Sequence, residues 1–570
     1  MGSLGNDDIK DDAADNTSLL PAFSIKRIAI IGAGPSGLAA AKHLLAEGFL
    51  SSEIDIYEQQ AEVGGVWNYS AVTFQEQLRV PQIDAHAPLD TPIYPETSVE
   101  QEKDEYEDYV FDSDEEACTA PGSGACSLPP LPRKEKQPPL FPSPMYDYLH
   151  TNIPHTLMRY SDLRFTTDGK GKGAHEDCEI FPSRQVVQEY LLQYARDVRH
   201  LVRFSTQVTN ISLQSPPSDA SKGEKCRIHE KWTVYSTNLL TGVPRVENYN
   251  AVVVASGHYS APYIPSVPEI ATFAKEHPGI ISHSKTYRTP SKFAGKRVVI
   301  VGSSASGLDI ASQISAVCAS PLIMSARSPI PDDQAAHIGV GDKVRVVGQI
   351  KRFLVDERGI EVFSTPGPSS AETESEKNTE KILDVDAILF CTGYLFTFPF
   401  ISTSSLPAST PPLVTDGRRV HGVARHFIHT YHPTLVFPAL PIKIIPFPLA
   451  EAQAAVFSRL WSNRLPLPSH EELQSWERED EEGQGFEGER VIGEGKSFHV
   501  FPKGGDARYI NALHDWALQA DGKKTGEGKE PPFWGDEELW QRSIYAQAKM
   551  RFEKTGRKAK TLQELGFEHE

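Results

Sequence analysis

The apolar positions of the chain first gather at Ile28–Ile31, an unbroken run followed at once by Gly32, Gly34 and Gly37. A short continuous apolar run bounded by glycine predicts a strand buried on both faces. Past the glycines the apolar residues take helical spacing through LAAAKHLLAE, so a strand, a tight turn and a helix are expected in succession. A second strand, EIDIYEQ, and a GGVW loop come next. The same order returns 270 residues later, with strand KRVVIV, the turn from Gly302 to Gly307 and helix LDIASQIS. Between the two units lie a helix, SRQVVQEYLLQYARDV, and a β-rich section (KWTVYSTN, NYNAVVVASG) with a polar loop near 213–227. Strands around 344–363, a low-complexity loop at 365–380 and the apolar strand VDAILFCTGY follow the second unit. The last hundred residues mix helices with acidic loops. Meeting the strand–turn–helix unit twice predicts an α/β fold with two Rossmann-like dinucleotide-binding units.

At 570 residues the chain exceeds what one core usually supports, in keeping with several domains. Residues 1–23 read as a disordered leader, polar and acidic, without the basic start and apolar centre of a signal peptide. Between Gln101 and Ala117 nine acidic residues stand beside one lysine, and a Pro-rich stretch runs on to Pro144. Residues 95–140 therefore read as a solvated insertion. The net charge of −19 argues against a nucleic-acid partner, which would call for a basic face. No run of 18 apolar residues occurs, so no membrane anchor is expected. The six cysteines are scattered, with no CxxC pair and no Cys/His cluster at metal-ligand spacing, so no metal is expected. So few cysteines suit a reducing compartment, and a cytoplasmic location is expected.

The first turn carries specific chemistry. Gly32 permits the tight bend, Gly34 lets a pyrophosphate approach the backbone, and Gly37 lets helix and strand pack closely. The helix N-terminus behind them offers unpaired N–H groups and a partial positive charge. Glu58, 21 residues beyond Gly37 at the end of the second strand, is placed to accept hydrogen bonds from a ribose diol. In the second turn Ser304 replaces the middle glycine, and the hydroxyls of Ser303, Ser304 and Ser306 can donate to phosphate. The strand PLIMSAR ends in Arg327 where an NAD site would carry an acid, which favours the 2′-phosphate of NADPH. A surface arginine with no ligand is the alternative.

Two dinucleotide sites serve reductases and oxygenases alike, so other residues decide. Gly279, His283 and Tyr287 follow one another at four-residue steps, then Phe293, Gly295 and Lys296 lead into the second unit. This resembles the FxGxxxHxxxY/F signature of flavin-containing monooxygenases, except that His277 stands where phenylalanine is usual. Pro35, Ser36 and the GGVW loop resemble FAD-binding flavoproteins, and MYDYLHTNIPHTLM resembles the family's Tyr-x-x-Leu-x-Thr-Asn-x-Pro segment. VVVASGHYSAPYIP, CTGY and PFPLAEAQAAVFSRLW resemble later segments, so the match runs in order over about 25–465. Soluble fungal members match best.

The resemblance implies a discontinuous FAD domain at 24–280 and 386–470, an NADPH domain at 281–385, and a helical, acidic extension at 471–570. It implies cofactor contacts from Gly32, Gly34, Pro35, Ser36, Gly37, Glu58, Gln59, Gly65, Val66, Trp67, Thr151, Asn152 and Val208. Thr392 and Gly393 of CTGY join them, as do Ser303, Ser304, Ser306, Gly307 and Arg327 of the second unit. Trp67 reads equally as a core aromatic. NADPH would reduce FAD, O2 would add at flavin C4a, and the hydroperoxide would oxygenate a soft nucleophile, an amine nitrogen or a thiol or sulfide sulfur. Asn152 is the implied catalytic residue, its amide bonded to the flavin-bound oxygen or to nicotinamide; a structural turn before Ile153–Pro154 is the alternative. The partners implied are a small-molecule substrate and O2, and a homodimer is left open. Baeyer–Villiger oxygenation of a ketone is the runner-up, although those enzymes carry tryptophan at the position of Tyr287. A disulfide reductase would need a cysteine pair that the chain lacks.

Overall fold

The computed structural model describes residues 22–71, 78–85, 88–95, 137–165, 178–214, 228–366, 378–488, 495–520 and 528–569. Strand Ile28–Ile31 forms with all four residues buried and pairs in parallel with Ile54–Tyr57 on one side and, on the other, with Ala251–Val254, the middle strand of a seven-stranded sheet. Val202–Arg203 closes one edge, and strands at 423–424, 428–429 and 435–436 extend the other. One sheet thus draws strands from both ends of the chain, and the first unit is discontinuous. Helix Pro35–Ala46 turns a face of Leu38, Ala39, Ala40, Ala41 and Leu44 into the core, against the almost wholly buried helix Pro446–Trp461. An antiparallel sheet of Thr206–Leu213, Trp232–Asn238 and Pro244–Tyr249 packs through Trp232 and Val234 on the opposite face.

The second unit is a five-stranded parallel sheet in the order Val344–Val347, Leu322–Ser325, Val298–Val301, Ala387–Phe390, Ile281–His283. Here the structure corrects the boundary expected at 386. Ala387–Phe390 is fully buried, but it pairs with Val298–Val301 and belongs to the second unit. Its continuous apolar run predicts burial, and only long-range pairing decides which sheet receives it. The chain returns to the first unit just afterwards, where Tyr394–Leu395 lies antiparallel to Ala261–Pro262.

The extension after 470 is part of the body. Helix Gly505–Leu518 sends Tyr509, Ile510 and Leu513 into the core that holds the late helix. Helix Asp536–Lys554 sets Phe552 against Phe181 and His150. Phe23, assigned by sequence to the leader, is also buried, and its backbone N–H donates to Asn463 Oδ1 at 2.8 Å. The rest of the leader to 21, and most of the acidic insertion, lie outside the described residues; Ile93, just before the insertion, and Leu140, its last residue, bridge each other. No helix among the described residues is long and apolar enough to cross a membrane.

Candidate functional site

Gly32 sits at φ +106°, and a Cβ there would meet the Ala255 carbonyl at 2.5 Å. A Cβ on Gly37 would lie 2.0 Å from the Gly32 carbonyl. Both positions are closed by the fold itself. Gly34 differs: a Cβ would approach nothing nearer than Gly65 Cα at 3.5 Å, and the residue faces a cavity. The missing side chain leaves that space open to the cavity. Helix Pro35–Ala46 begins at Gly34 with no side-chain cap and no acid in its first turn, so its end retains a positive field. The GGVW loop is tied to this turn by Gly64 N–H donating to the Ala33 carbonyl at 3.0 Å.

The cavity has a volume of about 1080 Å³, at the upper end of the usual range for small-molecule sites. Gly32, Gly34, Pro35, Ser36, Glu58, Gln59, Gly65, Val66, Trp67, Thr151, Asn152 and Val208 all line it. Glu58 is buried, with Oε2 accepting from Ala33 N at 2.8 Å and Oε1 from Gln60 N at 2.9 Å. Burial pushes its carboxyl up, against those N–H groups. Each oxygen keeps a second lone pair. Gln59 is held by Gln207 and Asp90. Trp67 serves both readings, lining the cavity while meeting Phe447 edge-on at 6.5 Å.

The Thr151 hydroxyl donates to the Ile153 carbonyl at 2.8 Å, and Thr151 N–H donates to the Pro182 carbonyl at 2.9 Å. Thr151 thus shapes the loop, while Asn152 is exposed on the cavity side. His283 and Tyr287 of the linker are buried. His283 Nδ1 accepts from Lys285 N at 3.1 Å, so the proton on Nε2 donates to the Gly393 carbonyl, also at 3.1 Å. The Tyr287 hydroxyl donates to Gln313 Oε1 at 3.0 Å.

The second turn repeats the first. Gly302 sits at φ +111° with its would-be Cβ 2.6 Å from the Cys391 carbonyl, and that of Gly307 would lie 2.1 Å from the Gly302 carbonyl. Helix Ala305–Ile314 starts at Ser304 without a side-chain cap. Ser306 and Ile310 line the cavity. Ser303, Ser304 and Gly307 belong to the same turn but do not reach the cavity, and Arg327 is exposed just past strand Leu322–Ser325. Thr392 and Gly393 also lie off the cavity, at the return crossing, where the Thr392 hydroxyl donates to the Tyr263 carbonyl. Burial pushes the neighbouring Cys391 thiol up to about 12, unsuited to redox exchange.

Sequence reading missed Ser256, Gly257, Tyr146 and Tyr394, which also line the cavity. A glycine after the apolar strand at 251–254 was a usable signal for the first two; Tyr146 and Tyr394 stood in the Tyr-x-x-Leu-x-Thr-Asn-x-Pro and CTGY segments, of which only neighbouring residues were read as site residues. It also missed a buried group of His426, Asp480 and Glu487. Val420 N–H donates to His499 Nε2, so the His499 proton lies on Nδ1 and donates to His426 Nδ1 at 3.2 Å. The His426 proton then sits on Nε2, 3.6 Å from Glu487, while Asp480 pairs with Arg425 at 2.9 Å. That order leaves His426 no lone pair for a cation.

Residues 143–333 match the family model described as flavin-binding monooxygenase-like, and 30–87 match an NAD(P)-binding Rossmann-like domain. The chain is 28% identical to flavin-containing monooxygenase ustF2 of Aspergillus flavus, covering 86% of this chain and 91% of that protein. Flavin-containing monooxygenase iboF of Amanita muscaria is 27% identical, with 88% and 90% covered. Among solved structures, S-allyl-L-cysteine S-oxygenase from Allium sativum superposes with a TM-score of 0.64 at 22% identity, over 96% of this chain and 98% of that one.

Proposed function

The chain belongs to the flavin-containing monooxygenase family, whose members work with FAD and NADPH, and from that premise we propose that it oxygenates the nitrogen or sulfur of a small, soft nucleophile. The observation that carries this reading is one cavity of about 1080 Å³ lined from both nucleotide-binding turns, by Gly34 and Ser36 of the first and Ser306 of the second. When bound, FAD reduced by NADPH supplies the oxygen-activating chemistry that side chains lack.

The protein's own residues bind, orient and exclude water. The uncapped helix at Gly34 takes the FAD pyrophosphate, and Glu58 accepts from its ribose. Ser303, Ser304 and the helix they open take the NADPH pyrophosphate, and Arg327 pairs with the 2′-phosphate. Asn152 presents an amide donor to the reacting centre from a loop whose backbone is held independently of its side chain. No side chain need be a general base for an amine or sulfide nucleophile, whose lone pair attacks directly.

NADPH-dependent O2 uptake measured with sulfides, thiols, amines and ketones tests the reading. Sulfides lead the panel because the Allium sativum neighbour is an S-oxygenase. Incorporation of one ¹⁸O atom from ¹⁸O2 at sulfur or nitrogen is expected. Esters or lactones from the ketones alone would overturn the choice of nucleophile.

A further inference from the structure

We propose that Tyr146 and Asp309 form a positioning pair that fixes the Asn152 loop against the helix of the second nucleotide-binding turn. Tyr146 stands six residues before Asn152, is buried and lines the cavity. Its hydroxyl donates to Asp309 Oδ2. Asp309 lies on helix Ala305–Ile314, between the cavity-lining Ser306 and Ile310. The same carboxylate oxygen accepts from Gln313 Nε2 at 3.1 Å one turn on, and Gln313 Oε1 accepts from Tyr287. Tyr287 in turn meets the Tyr146 ring edge-on at 5.3 Å and 70°. Two tyrosines, an amide and a carboxylate thus close a ring that joins the cavity loop, the linker and the second unit.

Apolar packing alone would bury the same surface, since it is non-directional. A phenylalanine at 146 would satisfy it. The hydroxyl adds a directional bond that fixes distance and helix rotation. Burial raises the Asp309 carboxyl, whereas the Tyr146 bond and the cations Lys549 and Arg557 favour its anion, with Glu553 opposing them. Lys549 and Glu553 lie on the C-terminal helix, and Arg557 follows it; both cations pair with Glu553, at 2.8 and 2.5 Å. Arg557 also donates to the Tyr148 carbonyl at 3.0 Å, and Thr156 donates to Gln541 Oε1 at 2.6 Å. The C-terminal extension therefore backs the Asn152 loop on both sides and sets Lys549 and Arg557 against the upward push of burial on Asp309.

The role is positioning, and its test does not depend on the oxygenated substrate. Tyr146→Phe keeps the ring and removes the hydroxyl. In the flavin-loaded enzyme FAD content should stay stoichiometric. Anaerobic flavin reduction by NADPH should lose roughly tenfold in rate constant over Kd, the scale of one buried hydrogen bond. Amide exchange across 146–158 should quicken in the same protein without nicotinamide, a readout independent of turnover. Asp309→Leu should match Tyr146→Phe, the double variant should be no worse than either, and Asp309→Asn, which retains an acceptor, should recover part of the loss. Additive losses, or unchanged reduction and exchange in both single variants, would overturn the pairing. Loss of FAD in both would assign them to folding and overturn it too. Because neither readout uses an oxygen acceptor, a wrong choice of nucleophile leaves the test intact.

Discussion

Asn152 offers a separable test of the active site, because the structure predicts opposite answers for stability and catalysis. The loop is fixed by other atoms: Thr151 N–H to Pro182, the Thr151 hydroxyl to Ile153, and His155 N–H to the Ile180 carbonyl at 2.9 Å. The Asn152 amide takes no part in these bonds and is exposed on the cavity. Asn152→Ala should therefore change folding stability by no more than about 0.5 kcal/mol, the range of an exposed substitution. Losing a preorganised donor toward developing charge costs about 2.7–4 kcal/mol, or about 10²- to 10³-fold in turnover. The assay measures NADPH consumed, product formed and hydrogen peroxide released by the same flavin-loaded sample, beside a melting curve. NADPH oxidation should continue while peroxide replaces product. Unchanged product yield and coupling would remove Asn152 from the reaction, and loss of FAD with the product would make it a structural turn.

Three other outcomes are expected. Gly34→Leu should strip FAD, since a side chain there would enter the cavity; stoichiometric flavin in the purified variant would refute the first site. Arg327→Ala should weaken NADPH binding by about 10- to 100-fold, from roughly 1.5–3 kcal/mol for a charge-assisted contact, while NADH titrations hardly change; equal losses would refute the 2′-phosphate role. Burial, with His432 beside it, pushes His429 down to about 3, and its Nδ1 accepts the N–H groups of Tyr431 and His432. Below about pH 6.5 the unfolded chain takes up a proton that the folded chain refuses, so stability falls on acidification from there toward pH 3. At pH 5 the penalty reaches about 2 kcal/mol, and His429→Asn should lose correspondingly less stability than the parent between pH 7.5 and 5 in urea melts. Equal losses would show that His429 does not titrate as its burial requires.

What was legible in the sequence is what the local backbone dictates. Gly37 and Gly307 are required by contacts of 2.0 and 2.1 Å with the backbone of their own turns, and Gly32 and Gly302 by φ of +106° and +111°, so the motif announces its own geometry. Glu58 follows because a parallel strand of fixed length delivers it to the turn. Pairing partners are another matter. Strand Ala387–Phe390 reads as buried, yet nothing in its four residues distinguishes one parallel sheet from the other. The extension after 470 looks like an acidic appendage because several of its anchors stand singly among polar and charged residues: Leu473, Ala548 and Phe552 are each buried in such surroundings. The tyrosines of the Tyr146–Asp309–Gln313–Tyr287 ring come from segments more than a hundred residues apart, and no spacing rule could have joined them.

The same contrast explains why the cofactors are readable and the substrate is not. The residues read for NADPH form a series from the cavity to the surface: Ser306 on the cavity, Ser303 and Ser304 at the helix start, Arg327 exposed beyond the next strand. A ligand with a reactive end, a diphosphate and a charged far end matches that series, and each part is recognised by a short motif. The remaining cavity wall draws on Tyr146, Tyr259, Tyr394, Phe400 and Lys443, which lie in separate segments and meet only in the folded chain. Aromatic side chains in such a wall select by shape, where one methylene more or less is worth only about 1–3 kcal/mol. Discrimination among substrates therefore rests on how far the loops bring those rings together. Substituting Tyr394 or Phe400 should shift the ranking of substrates without altering FAD content, and a ranking unmoved by both would place the substrate against another part of the cavity.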